Sequence, residues 1–171
     1  MGDENNQFLT FTLSNEVFAL NIATVREVLE LTHITKIPLM PSFMRGVINL
    51  RGHAVPVIDL RTKFNMEQIK DTINTCIIIT EVSFGDGIHV IGALVDSVRE
   101  VVEIHEEEIE QAPSMGAVID TEFIKGIGKR DDIFVIILDA NSIFTVNELA
   151  SLQSSINALP AHTSETEEVV S

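Results

Sequence analysis

The chain of 171 residues has no tryptophan, no tyrosine and a single cysteine. One cysteine excludes an internal disulfide and any cysteine-built metal cluster. Its place before an isoleucine run (Cys76-Ile77-Ile78-Ile79) points to a buried, unreactive thiol. Nine phenylalanines are the whole aromatic complement, which argues against a small-molecule barrel with an aromatic-lined pocket. Bases are scarce: 11 Lys and Arg against 26 Asp and Glu leave a net charge of −15. Phosphate contact needs a basic surface, so nucleic acid is not an expected partner. No stretch is long and apolar enough to insert in a membrane, and the opening residues (Met-Gly-Asp-Glu-Asn-Asn-Gln) resemble no secretion signal. The expected setting is cytoplasmic.

Catalytic signatures are missing too. His33, His53, His89, His105 and His162 lack partners at metal-ligand spacing, so no metal and no cofactor is expected. Gly126-Ile127-Gly128-Lys129 lacks both the earlier glycine and the following Ser or Thr of a phosphate loop. No Gly-x-Ser-x-Gly or other nucleophile setting occurs, and no enzyme activity is expected.

Apolar residues make up 45% of the chain, enough for a folded core. Much of it alternates with the period of a strand. Strands are expected at Gln7 to Leu13, Val17 to Asn21, Asn74 to Val82, Ile88 to Val95, Val98 to Ile104, Phe123 to Lys129 and Ile133 to Leu138, with turns at Ser14-Asn15 and Gly85-Asp86-Gly87. Val25 to Leu31 fits a helical turn or the opening of a strand, and residues 62–73 read as a polar connection. Thr145 and Glu148 stand at capping-box spacing, placing a helix from Val146 to about Ser155. Residues 156–171 read as a disordered acidic tail.

The stretch from Gly46 to Arg61 reads as a hairpin. Met44, Gly46, Ile48 and Leu50 alternate with Arg45, Val47, Asn49 and Arg51, and Gly52 allows the reversal. Pro56 cannot donate to a ladder, so its arm is an edge strand or its nitrogen points away from the neighbour. Charge is unevenly spread: Leu31 to Lys63 holds Lys36, Arg45, Arg51, Arg61 and Lys63 against Asp59 alone. A small positive region beside a tight turn suits an acidic protein partner.

The first half also recurs in the second. Val25-Arg26-Glu27-Val28-Leu29-Glu30-Leu31 matches Val98-Arg99-Glu100-Val101-Val102-Glu103-Ile104, and Phe43-Met44-Arg45-Gly46-Val47 matches Phe123-Ile124-Lys125-Gly126-Ile127. The second alignment continues to pair Asp59 with Asp139. Two similar small β-subdomains packed together are expected. Asn49 and Arg51 correspond to Lys129 and Asp131, so a shared scaffold does not explain them.

Gly46-Val47-Ile48-Asn49-Leu50-Arg51-Gly52, followed by Val55-Pro56-Val57-Ile58-Asp59-Leu60-Arg61, resembles the CheW family of chemotaxis coupling proteins. Val25-Arg26-Glu27-Val28, Gly92-Ala93-Leu94-Val95-Asp96-Ser97-Val98 and Phe123-Ile124-Lys125-Gly126 support the resemblance, which spans about Gln7 to Leu152. It implies a mainly β fold: two SH3-like five-stranded β-barrel subdomains packed together, with a short C-terminal helix. The expected division of the 7–155 domain is a first barrel at about 7–65 plus 134–155 and a second at about 72–133.

The resemblance further implies a non-enzymatic adaptor joining the cytoplasmic helical tips of methyl-accepting chemoreceptors to the regulatory domain of the histidine kinase CheA, within membrane receptor arrays. A CheW-like scaffold in a pilus or developmental pathway is the alternative. Receptor-binding positions carried over or placed beside the family's own are Val25, Glu27, Val28, Arg51, Gly52 and Val98. Val25 and Val28 would serve as apolar anchors for a helix tip. Glu27 and Arg51 would pair, or either would reach the receptor; the plainer alternatives are that Arg51 caps its own turn and Val25 is core. By the same resemblance the kinase contact falls on the second barrel, where Thr75 to Val82 is a candidate surface, but no residue is assigned.

Overall fold

The computed structural model describes residues 6–67, 70–84, 87–111 and 123–157. Among them the strands are β1 (Gln7–Leu13), β2 (Glu16–Asn21), β3 (Val25–Glu30), β4 (Met44–Leu50), β5 (His53–Asp59), β6 (Cys76–Phe84), β7 (Gly87–Val95), β8 (Ser97–Glu103), β9 (Ile124–Arg130) and β10 (Ile133–Leu138). The α-helices among the described residues are α1 (Leu60–Lys63) and α2 (Val146–Asn157). The segment from Val25 is therefore a strand: it lies along β6, with Val28 opposite Ile78 and Leu29 opposite Ile77. Helix α2 starts on the capping box, with Glu148 N–H donating to Thr145 Oγ1 at 3.1 Å and Thr145 N–H to Glu148 Oε1 at 2.9 Å. The short helix α1 went unread in the sequence. Asp59 caps it, its Oδ1 accepting from Arg61 N–H at 3.0 Å. Residues 85–86 of the expected turn and 158–171 of the expected tail lie outside the described residues.

The strands form two five-stranded sheets, ordered β8-β1-β2-β10-β9 and β3-β6-β7-β5-β4. Each sheet is brought toward closure by a bridge between the segment after its first strand and its last strand: Thr35 with Val47, and Glu110 with Ile127. The two orders superpose if β1 to β5 are matched one by one with β6 to β10. The repeat is thus real in three dimensions, but the expected barrel boundaries are not. The hairpin β1–β2 joins β8, β9 and β10, antiparallel to β8 and parallel to β10. The contiguous strands β3 to β7 form the other sheet. Each sheet takes its paired hairpin from one half and its other three strands from the other. Similar sequence marked equivalent positions, and carried no information on which copy each strand pairs with.

Each sheet has its own interior, Phe8, Val102, Val135 and Ile137 in one and Ile48, Val57, Ile77 and Ile79 in the other. A third cluster, including Phe11, Phe18, Ile58, Ile78 and Leu138, is shared between the sheets. Strand β6 faces both ways, Ile77 and Ile79 inward and Ile78 into the shared core. Thr75, Ile77, Ile78, Ile79 and Val82 are all buried, so this strand is core and not the free surface that the kinase expectation invoked.

Two local features depart from strict alternation. A register shift between Met44 and Gly46 turns Met44 into the shared core beside Val47, away from Ile48. Pro56 sits inside a sheet, since β5 lies between β7 and β4. It is tolerated because Val47 opposite it spends its N–H and C=O on Thr35, both at 2.8 Å. Gly46 is required there: a Cβ would collide with the Thr35 carbonyl oxygen.

Several phenylalanines lie between the sheets. Phe11, Phe18, Phe64 and Phe123 form a chain of rings with centroids 6.1, 6.3 and 5.5 Å apart. Lys63 places its ammonium 4.3 Å from the Phe123 ring centre and 3.4 Å from Glu148, tying α1 to α2.

Candidate functional site

The β4–β5 tip is a two-residue turn with Arg51 at φ 51° and Gly52 at φ 88°. Both central residues in the left-handed region define the turn type that matches strand twist. Asp131 and Asp132 repeat it at φ 51° and 68° in the other sheet. Asn49 secures the first tip, its Oδ1 accepting from Gly52 N–H at 2.8 Å. Asn49 therefore does the capping, and the Arg51 guanidinium is released from that duty. It donates instead to Glu27 on β3. That hydrogen bond and the carboxylate charge push the Arg51 pKa still higher. The Arg51 side chain is 68% exposed against 30% for Glu27, so the pair sits on the rim with the guanidinium outermost.

Strand β3 has a bulge: Val25 faces Thr80, yet Glu27 faces the adjacent Ile79. The extra residue puts Val25 and Val28 on one face, beside Thr80 and Ile78, and Glu27 on the other. Val25 is half-buried against the shared core, whereas Val28 is 40% exposed. Strand β8 repeats the irregularity, with Val98 against the same core and Val101 exposed. The sequence-derived positions thus fall into two sets around the edge strand β3. Glu27, Arg51 and Gly52 gather at the tip of the hairpin, and Val25, Val28 and Val98 line the side facing the other sheet.

A cleft of about 410 Å³ lies beside the tip, with Arg26 and Arg51 among its residues and Leu149, Leu152 and Ile156 of α2 lining it too. Arg26 is itself paired with Glu81. Among the described residues no cluster of His, Cys, Asp and Glu is arranged to hold a metal, and no helix is long and apolar enough to cross a membrane.

Two residues read differently from their sequence setting. Cys76 is half-buried, its thiol donating to the Asn74 carbonyl at 3.2 Å, and burial raises its pKa. Arg61, one more alternating residue in sequence, is 1% exposed. Its guanidinium meets Asp59 at 3.0 and 3.1 Å and Asp96 at 2.8 Å. The available sequence signal was Asp59 two residues before an Arg that closes the apolar run from Val55.

A family model described as a CheW-like domain matches residues 7–148. The chain is 35% identical over 144 residues to the chemotaxis protein CheW of Klebsiella aerogenes, covering 84% of each. It is 33% identical over 138 residues to the chemotaxis protein CheW of Bacillus subtilis, covering 80% of this chain and 85% of that one. The crystal structure of the scaffolding protein TtCheW from Thermoanaerobacter tengcongensis superposes with a TM-score of 0.76 at 39% identity, over 84% of this chain and 90% of that one. On its strand order, its Asn-Leu-Arg-Gly tip and these matches, the chain belongs to the CheW-like family.

Proposed function

We propose that this chain is a non-enzymatic adaptor that couples the cytoplasmic helical tips of methyl-accepting chemoreceptors to the regulatory domain of the histidine kinase CheA. Family membership and relatives named for chemotaxis and scaffolding support the reading, and they favour it over a pilus or developmental pathway. It would act in the cytoplasm, at membrane receptor arrays. The observation that carries it is the Arg51–Glu27 pair on the hairpin rim beside the exposed Val28. A helix tip docks through apolar anchors, and Val28, with Val25 and Val98 behind it, supplies a shallow apolar strip. A guanidinium already turned outward exchanges one carboxylate for another at little cost, because an exposed pair is weak in water. Gly52 keeps the tip open, with no atom within 4 Å of the place a Cβ would take. The kinase contact is assigned to no residue.

The test is co-sedimentation of kinase with receptor-containing membranes, with and without this chain, while kinase autophosphorylation is followed. Recruitment and activation only in its presence is the expected result, weakened by Arg51→Ala at an almost unchanged melting temperature. A chain that binds neither receptor nor kinase refutes the coupling role. A melting point that drops in step with coupling reassigns Arg51 to the fold.

A further inference from the structure

Asp96 is the one residue between β7 and β8, where the chain crosses from one sheet to the other. Its two carboxylate oxygens are divided. Oδ1 accepts from Arg61 Nη1 at 2.8 Å, and Oδ2 accepts from Ser14 N–H in the β1–β2 turn at 2.7 Å. Its own N–H donates to Thr12 C=O at 3.0 Å, and the next residue, Ser97, bonds Thr12 through their hydroxyls at 2.7 Å. Arg61 is held from the other side by the two bonds to Asp59 at the end of β5. The relay Asp59–Arg61–Asp96–Ser14 therefore ties the end of a strand in one sheet to a turn in the other.

The repeat has a second version, in which the bridging side chain is a neutral amide. Asp139 Oδ1 accepts from Asn141 N–H at 3.1 Å, and Asn141 Oδ1 accepts from Ser83 N–H, in the equivalent hairpin, at 2.8 Å. Asn141 stands where Arg61 stands, and reaches the opposite sheet without a relay. A direct amide bridge suffices to join the sheets there, so the buried guanidinium is not needed merely to make such a link. What distinguishes the charged version is its location: Val98 follows Asp96 by two residues and packs against the shared core, as do Cys76 of β6 and Val25 of β3.

We propose that Arg61 is a positioning residue for the docking strip: by holding Asp96 against the β1–β2 turn it seats the start of β8, and with it Val98, against the β3–β6 edge. A bidentate guanidinium gives a fixed direction as well as a bond, which suits a residue that sets the placement of a strand. The consequence for receptor binding rests on the adaptor reading; the seating of Val98 does not.

Cys76, the sole cysteine, reports on that seat. The experiment compares the full chain with Asp96→Asn, whose amide oxygen still accepts from Ser14, and with Arg61→Lys, which keeps the charge and loses the fork. Ile137→Val, which trims the interior of the other sheet, serves as a control for general destabilisation. Thiol labelling of Cys76 by a disulfide reagent is followed well below every melting temperature, alongside binding to a receptor tip and to the kinase regulatory domain. Both network variants are expected to label faster than the control and to bind the receptor tip about tenfold more weakly, the equivalent of ~1.4 kcal/mol. Kinase affinity is expected to stay close to that of the parent. Labelling at the parent rate in both variants, or equally fast labelling in the control, overturns the proposal. Faster labelling with a parent chain that binds no receptor tip leaves Arg61 as the residue that seats Val98 and overturns the adaptor reading instead.

Discussion

Asp59 and Asp139 occupy equivalent places, at the end of β5 and just after β10, each capping the turn that follows. Replacing either with Ala removes a cap worth ~1 kcal/mol. Asp139→Ala also frees the Ser142 hydroxyl, which donates to it at 3.0 Å, adding ~1 kcal/mol. Asp59→Ala does something more severe, because the Arg61 side chain it faces is only 2% exposed. Removing one partner from a buried pair costs ~3–5 kcal/mol, and the remaining Asp96 argues for the lower end, ~3 kcal/mol. The totals are ~4 kcal/mol for Asp59→Ala and ~2 kcal/mol for Asp139→Ala. With a urea slope of ~2 kcal/mol per molar, the two midpoints should differ by ~1 M. The assay is equilibrium urea unfolding followed by far-UV circular dichroism, with slopes fitted separately. Equal midpoints, or a larger loss for Asp139→Ala, would refute the claim that the charged network carries more of the fold than its neutral counterpart.

Three further outcomes are expected. Gly46→Ala should lower the melting temperature by several degrees, through a Cβ driven into the Thr35 carbonyl, whereas Gly52→Ala meets no atom and loses only the ~1 kcal/mol of a left-handed backbone; differential scanning fluorimetry ranks the two. Thr145→Ala breaks one arm of the capping box and should cost ~1 kcal/mol, with Thr145→Ser restoring most of it in urea titrations. Burial raises the folded pKa of Cys76, so its contribution to stability is fully present below the unfolded thiol's pKa and is lost as pH rises through the folded value. Alkylation of the native thiol should accordingly reach half-maximum at higher pH than alkylation of the urea-unfolded chain, and coincident profiles would contradict it.

Much of the strand pattern was readable because apolar alternation and turn residues act locally. The hairpin from Gly46, the capping box at Thr145 and the repeat of Val25 to Leu31 at Val98 to Ile104 all stand where the sequence put them. Bulges were not readable. Met44 and Ile48 share a face by strict alternation, and only the shift at Arg45 separates them. The ambiguity of the segment from Val25 has the same origin. A bulged strand puts Val25 and Val28 on one face, as a helical turn would. Of the two partners of Arg61, Asp59 is local, but Asp96 comes within reach only through the long-range parallel pairing of β5 with β7, which no local pattern announces. The pairing of Glu27 with Arg51 was legible as one of several options; that Asn49 takes over the turn and leaves Arg51 outward follows from the left-handed backbone of the tip, which brings Gly52 N–H onto the Asn49 side chain.

The exchange of strands between the halves bears on how the molecule is made. During synthesis from the N-terminus the strands β3 to β7 all emerge by Val95, so that sheet has every partner it needs while the ribosome is still at work. The hairpin β1–β2 leaves first and waits longest, since its neighbours β8 and β10 are encoded after residue 96. A lone two-stranded hairpin is marginal in water, and this one carries Phe8, Phe11 and Phe18, all buried in the finished fold. Its first-made strands are the last to gain partners, which makes the nascent chain most exposed to aggregation between the release of Asn21 and the arrival of Leu138.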